Sequence, residues 1–289
     1  PRLGASSTPM HDELARLIAF ARRHPRLLVL TGAGCSTDSG IPDYRDAQGQ
    51  WKRAPPMTYQ AFTGDAHSRQ RYWARSLVGW AVMRAARPGP AHLALARLES
   101  AGRVELLLTQ NVDGLHHAGG SQRVIDLHGR IDTVVCLACR ARLPRADFQS
   151  LLHARNPGWQ HHHAAAAPDG DADLDGLDFA HFDVPPCPHC GAGMLKPDVV
   201  FFGENVPRER VDAALAALHR ADALLVAGSS LMVYSGYRFA QAAAAAGKPI
   251  AAINLGRTRA DGLLALKVEQ PVGAVLHALA EAVAPALNR

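Results

Sequence analysis

Six short apolar runs end in polar or glycine residues, and helical patterns fill most of the chain between them. Residues 11–23 carry Leu14, Leu17, Ile18 and Ala21 at helical spacing, and the run Leu27–Thr31 follows. Residues 58–101 are helical by pattern, broken at Pro88-Gly89-Pro90. Val104–Thr109, Arg123–Leu127, Asp198–Phe202, Ala223–Ala227 and Pro249–Asn254 repeat the form of the first run, with helical stretches at 207–219, 235–246 and 273–283. Strands that close on polar residues, alternating with helices, predict an α/β fold built on a doubly wound parallel sheet. In such a sheet the ligand binds at the carboxyl edge, so the polar run ends should converge on one cleft.

Composition narrows the class. The 289 residues suffice for one large domain and a smaller one, and 48% apolar with 20% charged residues is the balance of a soluble globular protein. The net charge of +5 comes from arginines spread without interleaved aromatics, so neither a nucleic-acid stripe nor a membrane-binding face is expected. No apolar run reaches the roughly 18–20 residues of a bilayer span, and no secretory leader is evident in Pro1–His24. A cytoplasmic monomer is the expectation.

Four of the five cysteines form two knuckles, Cys136-Leu-Ala-Cys139 and Cys187-Pro-His-Cys190, with Gly191 supplying the tight turn after the second. Two such pairs at this separation suit one structural zinc ion held by four thiolates, with no position open for catalysis. Between them, residues 155–186 hold His161-His162-His163, a four-alanine run and the acidic tract Asp169–Asp178, which reads as a long, partly irregular loop. The triple histidine reads as a polar loop, and Cys35 as a small packed residue.

The first run leads into Thr31-Gly-Ala-Gly-Cys-Ser-Thr-Asp-Ser-Gly-Ile-Pro-Asp-Tyr-Arg45. Its glycines let backbone amides approach a phosphate. Five residues separate Gly34 from Gly40, so the loop is not the G-x-G-x-x-G of a dehydrogenase, and no acid suited to the ribose follows it. The other run ends deliver Gln110-Asn111-Val112-Asp113, Asp126-Leu127-His128-Gly129, Phe202-Gly203-Glu204, Gly228-Ser229-Ser230 and Asn254-Leu255-Gly256. Taken singly these are weak signals: a lone His-Gly is usually a histidine in a turn, and Gly-Ser-Ser a generic phosphate contact.

The ordered set TGAGCSTDSGIPDYR, TQNVDGLH, DLHG, two CxxC knuckles, KPDVVFFGE, GSSLMVYSGYR and INLGRTRAD resembles the sirtuins, NAD-dependent protein deacylases, over residues 31–261. RQRYWARSLVGW at 69–80, APDGD at 167–171 and SGYRF at 235–239 resemble the class II branch, which includes the animal mitochondrial lipoamidase and ADP-ribosylating sirtuin; a bacterial member is expected. The resemblance implies a discontinuous Rossmann-like NAD-binding domain (1–46, 105–130 and 198–289). It also implies a small domain made of a helical module (47–104) and a zinc-binding module (131–197).

The implied chemistry consumes NAD as a co-substrate. The acyl-lysine carbonyl oxygen attacks the ribose as nicotinamide leaves, and His128 then acts as base on the ribose hydroxyls, giving 2′-O-acyl-ADP-ribose. Asn111 and Asp113 would hold nicotinamide and the ribose or a water. Gly32, Ala33, Gly34, Ser36, Asp43, Tyr44, Arg45, Gln110 and Val112 would complete the nicotinamide and pyrophosphate region. Gly228, Ser229, Ser230, Asn254, Leu255, Gly256 and Val272 would line the phosphate and adenosine end. The metal ligands implied are Cys136, Cys139, Cys187 and Cys190.

An acyl-lysine peptide would add as a strand between Gly203-Glu204 and the segment near Leu231–Tyr234, with Val200, Phe201 and Phe202 walling the acyl tunnel. Tyr72 and Arg75, three apart, share a helix face and would either bind an acidic acyl carboxylate or serve packing against the insert. On the first alternative, long or acidic acyl groups are removed at least as well as acetyl. Protein mono-ADP-ribosylation and a non-catalytic NAD-sensing zinc scaffold are the competing functions.

Overall fold

The computed structural model describes residues 9–52, 55–162, 169–172, 174 and 176–284. Strands β1 (Leu27–Thr31), β2 (Val104–Thr109) and β3 (Val124–Asp126) lie on one side of a parallel sheet, and β7 (Ala223–Ala227), β8 (Ile250–Ile253) and β9 (Leu266–Val268) on the other. The order is β3-β2-β1-β7-β8-β9. Chain direction across the sheet reverses at β1, and Thr31 is level with both Thr109 and Ala227. Three loops therefore leave the sheet at one height, at the switch point where an open α/β sheet forms its crevice.

Successive residues of β1 point to opposite faces, and both faces are covered. Leu27 and Val29 join a core with α1 (Pro9–Arg23), α4 (Pro90–Ser100) and α9 (Val272–Val283). Leu28 and Leu30 join a second core with α7 (Arg208–Arg220) and α8 (Tyr234–Ala245). Burial on both sides is why these strands read as unbroken apolar runs.

The smaller module is a three-stranded antiparallel sheet, β5-β4-β6, formed by β4 (Gly129–Cys136), β5 (Arg142–Pro144) and β6 (Leu195–Val199). It packs with α2 (Tyr59–Gly64), α3 (Ala66–Ala85) and α6 (Arg145–Arg155) around Phe62, Trp73, Phe148 and Phe182. The remaining helix, α5 (Leu115–Ala118), is a single turn after β2.

Three expectations change here. The run Asp198–Phe202 is not a parallel strand: the strand is Leu195–Val199, antiparallel to β4, and Val200 then donates its N–H to the His128 carbonyl at 2.8 Å. A short apolar run does not encode its own direction, and β4 supplies the nearer partner. The helical stretch 58–101 is divided, because α3 packs in the small module while Ala91, Ala94, Leu95 and Leu98 of α4 pack under the parallel sheet. Residues 90–104 thus belong structurally with the sheet. The insert, expected as a long, partly irregular loop, packs into the small module's core: it buries Ala172, Leu174, Phe179 and Phe182, and Trp159 stacks on Phe179 with ring centroids 5.6 Å apart. His163 and the run 164–168, with the start of APDGD, lie outside the described residues.

Candidate active site

A cavity of about 380 Å³ opens at the switch point. Its floor is the glycine loop, where Gly32 leaves β1 extended and the chain makes two 3₁₀ turns, Ala33–Cys35 and Thr37–Ser39. The loop is locked to the end of β7: Gly34 donates its N–H to Gly228 O at 2.9 Å. A Cβ on Gly34 would come within 2.8 Å of Gly228 Cα, and one on Gly32 within 2.8 Å of Gly228 O. The glycines let two backbones touch while an anion approaches from the cavity side.

Ser36, fully buried, donates its hydroxyl to Asp113 Oδ2 at 2.7 Å and accepts from Asn111 Nδ2 at 3.1 Å. Asn111 Nδ2 also donates to Gly32 O at 3.0 Å, and Asp113 Oδ1 accepts the Leu115 N–H at 2.8 Å. Both amide hydrogens of Asn111 are committed, so its oxygen is the group left to take a donor. The three polar side chains are set by mutual bonds before any ligand arrives.

His128 stands between β3 and β4. Its Nδ1 lies 3.0 Å from the Gln110 carbonyl oxygen, and its Nε2 lies 2.7 Å from Ser235 Oγ. A carbonyl can only accept, so Nδ1 carries the proton and Nε2 presents the lone pair, to which the Ser235 hydroxyl donates. Burial, with the charges of Arg210 and Arg238, pushes His128 down to about 4 although the Gln110 bond pulls it upward. The imidazole is therefore a neutral acceptor near pH 7.

The loop after Gly40 arches over the opening. Arg45 stacks on the Trp51 ring at 3.8 Å and donates to Gly49 O at 2.8 Å, while Asp43 pairs with Lys52 at 2.5 Å. Trp51 meets Phe202 edge-on at 5.6 Å, joining the loop to the opposite wall. Residues 199–206 form that wall and residues 228–235 the one facing it. Gln110 Oε1 accepts from Ser229 Oγ at 2.7 Å, and Leu231 turns the chain with φ +55°, a conformation that costs a non-glycine residue roughly 1–3 kcal/mol and collects at ligand sites.

A Sir2 family model matches residues 32–235. The chain belongs to the Sir2 family. It is 68% identical over 251 residues to an "NAD-dependent protein deacetylase" of Xanthomonas campestris pv. campestris strain 8004, covering 87% of this chain and 85% of that protein. A Bordetella bronchiseptica protein of the same name is 64% identical, covering 92% and 96%. A solved structure described as Sir2–p53 peptide–NAD+ superposes with a TM-score of 0.72 at 28% identity, covering 93% of this chain and 97% of that one. The Sir2 match includes the glycine loop, His128 and both cavity walls, while Asn254 and Leu255 contribute to the cavity from beyond it.

The sirtuin cysteines fall together away from this cavity. Cys136 Sγ is 3.8 Å from Cys190 Sγ, Cys139 Sγ is 3.8 Å from Cys187 Sγ, and all four lie within 4.8 Å of one another. A tetrahedron with Zn–S bonds of about 2.3 Å has edges of about 3.8 Å, so the thiols fit a zinc ion. Arg140 and Gly191, each directly after a knuckle, both turn with positive φ. A Cβ on Gly193 would stand 2.2 Å from Cys136 Sγ, so only glycine lets that loop close. Backbone N–H groups of Ala192 and Gly193 bring the Cys190 thiol down to about 6. None of the four lines the cavity.

Most of the residues singled out from sequence share that cavity: Gly32, Ala33, Gly34, Ser36, Asp43, Tyr44, Arg45, Gln110, Asn111, Val112, Asp113, His128, Val200, Phe201, Phe202, Gly203, Glu204, Gly228, Ser229, Ser230, Asn254 and Leu255. Four do not. Val272 opens α9 and its side chain is buried in the core beneath the sheet. Gly256 packs on Ala47, where a Cβ would lie 2.3 Å from the Ala47 oxygen. Tyr72 is buried against Phe62 and Phe201. Arg75 pairs with Asp171 of the insert at 2.9 Å. The helix face shared by Tyr72 and Arg75 is covered by residues 169–172, whose Gly170 lies against Gly79.

Trp51, Asp169, Ser235 and Arg238 also line the cavity and were not found from sequence. A tryptophan set in a polar loop is a usable signal for the first. Asp169 comes from an insert whose path no local pattern encodes, and Ser235 and Arg238 lie in the SGYRF motif at the start of α8, which the resemblance marks without giving either residue a role.

Proposed function

We propose that the protein is an NAD-dependent protein-lysine deacylase that uses NAD as a consumed substrate and one zinc ion as a structural element. One observation carries the reading: the phosphate-type glycine loop, the fixed Asn111–Asp113 pair and the neutral base His128 open into a single cavity of a Sir2 fold. A redox enzyme needs no base at a ribose, and a binding module needs none of this polar set. Bound NAD would supply an electrophilic ribose carbon. Asn111 and Asp113 would orient the nicotinamide end, Arg45 with Trp51 would close over it, and His128 would take the hydroxyl proton. The acyl-lysine chain would enter between residues 199–206 and 228–235, the two walls that face each other across the cavity, and add there as a strand.

The acyl group would be neutral rather than acidic. Arg75, the cation that the sequence offered for an acidic acyl group, is paired with Asp171 and does not line the cavity, whereas Asp169 does. Thiolate ligands suit a reducing compartment such as the cytoplasm.

The test is turnover of acyl-lysine peptides with NAD, following nicotinamide and acyl-ADP-ribose by mass. Nicotinamide release that depends on the acyl-lysine, with one acyl-ADP-ribose per nicotinamide, is expected. Release without acyl transfer would reject the reading. Among peptides of equal sequence, kcat/KM for acetyl-lysine is expected to exceed that for succinyl- or glutaryl-lysine by about tenfold or more, since Arg75 is already engaged by Asp171 and an acyl carboxylate would find no free partner in it.

A further inference from the structure

In the imidazole of His128 the lone pair that a base must use is already engaged. Nδ1 is protonated toward Gln110 O, so Nε2 is the one nitrogen able to accept, and the Ser235 hydroxyl reaches it at 2.7 Å. Ser235 lines the same cavity as His128. It is the second residue of α8, whose next residue, Gly236, lies against the Gln110 side chain; a Cβ there would come within 2.6 Å of Nε2 of Gln110. Gln110 Oε1 in turn accepts from Ser229 Oγ at 2.7 Å. The segment Ser229–Ser235 thus grips the base assembly at both ends: one hydroxyl fixes Gln110, and the other meets His128.

A proton bound for Nε2 must either displace the Ser235 hydroxyl or pass through it. A hydroxyl can accept one hydrogen bond while donating another, and a helix turn backed by Gly236 holds this one in place. The geometry points to Ser235 as a catalytic proton relay between the substrate's ribose hydroxyl and His128. The step balances as two transfers: the ribose O–H bond breaks and its proton goes to Ser235 Oγ, while the Ser235 O–H proton goes to Nε2. The products are an imidazolium, an intact serine and a ribose oxygen free to attack. The charged groups facing His128 are Arg210 from α7 and Arg238 from α8, both of which oppose a second positive charge and favour prompt return of the proton. The relay rests on the deacylase reading given above.

The experiment compares the wild type with Ser235→Ala and Ser235→Thr in single turnovers of an acetyl-lysine peptide with NAD, in mixtures of H2O and D2O. Acyl-ADP-ribose formation is expected to fall about tenfold to a hundredfold in Ser235→Ala, on the scale of a misplaced catalytic group, and to recover in Ser235→Thr. The rate should curve with deuterium fraction in the wild type, where two protons move, and become linear in Ser235→Ala. Nitrogen NMR of the free protein gives a readout apart from turnover: loss of the donor should move the Nε2 resonance of neutral His128 from that of a hydrogen-bonded acceptor toward that of a free one. A Ser235→Ala protein with wild-type rate, or with slowed turnover and a still-curved isotope dependence, would overturn the relay. Wild-type protein that releases no nicotinamide in response to acyl-lysine would overturn the deacylase reading and the relay together.

Discussion

Gly129 shows how one residue ties the base to the framework. It follows His128, turns with φ +82°, and lies so close to β6 that a Cβ would stand 2.0 Å from the Asp198 oxygen. Gly129→Ala therefore meets both backbone strain and a backbone clash, and should lower stability by about 2 kcal/mol or more while displacing His128. Gly40 has the same φ but nothing within 4 Å of its Cβ position. Gly40→Ala should lose only the strain, about 1 kcal/mol. Denaturant melts of the two variants compare these effects directly, and equal losses would contradict the clash. The base itself has a pH signature. Its action requires the neutral imidazole, so kcat/KM should fall as pH drops through about 4, not through the ordinary 6.5, and stay level on this account from pH 5 to 8. Because Arg238 disfavours the imidazolium, Arg238→Gln should move that acid limb upward. A limb unmoved by the change would show that burial and Arg210 set it without Arg238.

Among the elements, the loop from Gly40 to Lys52 is the one that could be read least from sequence. Its acids and its arginine mark it as functional, but its shape comes from contacts between side chains: Arg45 on Trp51, Trp51 on Phe202, and Asp43 with Lys52. Strands β1, β2, β7 and β8 were legible because burial on both faces leaves an unbroken apolar mark, and the loops at their ends followed from the parallel arrangement, whereas the three-residue β9 was not read. Asp198–Phe202 carried the same mark and joined a different sheet, because composition sets burial and not pairing partner. Arg75 illustrates a further limit. Spacing put it on a face with Tyr72, while its partner Asp171 lies 96 residues away in an insert without periodicity. Trp51 is where the arching loop can be tested. Trp51→Ala removes the cation–π contact and the link to Phe202, and should raise KM for NAD on the order of tenfold, since such contacts contribute about 0.5–2 kcal/mol. Its melting temperature should change little, because Trp51 belongs to no buried core. A variant with unchanged KM would show that the loop closes without this pair.

At the level of the whole molecule, two structural units share one site through β4. The parallel sheet has its own two-sided core, and the aromatic core of the small module contains neither β1 nor β7. β4 begins beside His128 and ends at Cys136, so the metal cluster and the base sit at opposite ends of one strand. The cysteine spacing made the cluster legible in sequence, yet its link to the site emerges only from that strand. Four thiols this close repel once ionised, and the metal is what makes their deprotonated form favourable. Zinc should therefore bind at one per chain and be lost in Cys187→Ser. Removing it by chelator or by that substitution should loosen β4–β6 and the packing around Phe148, giving an early transition in a thermal melt ahead of the parallel sheet. Activity should disappear with that first transition, because the His128 backbone is held by Val200 at the far end of β6. Hydrogen exchange distinguishes the outcomes: amides of β4 and β6 should lose protection while those of β1 and β7 keep it. Uniform loss across both sheets would mean that the two cores unfold as one, and full activity without zinc would mean that β4 does not couple the cluster to the base.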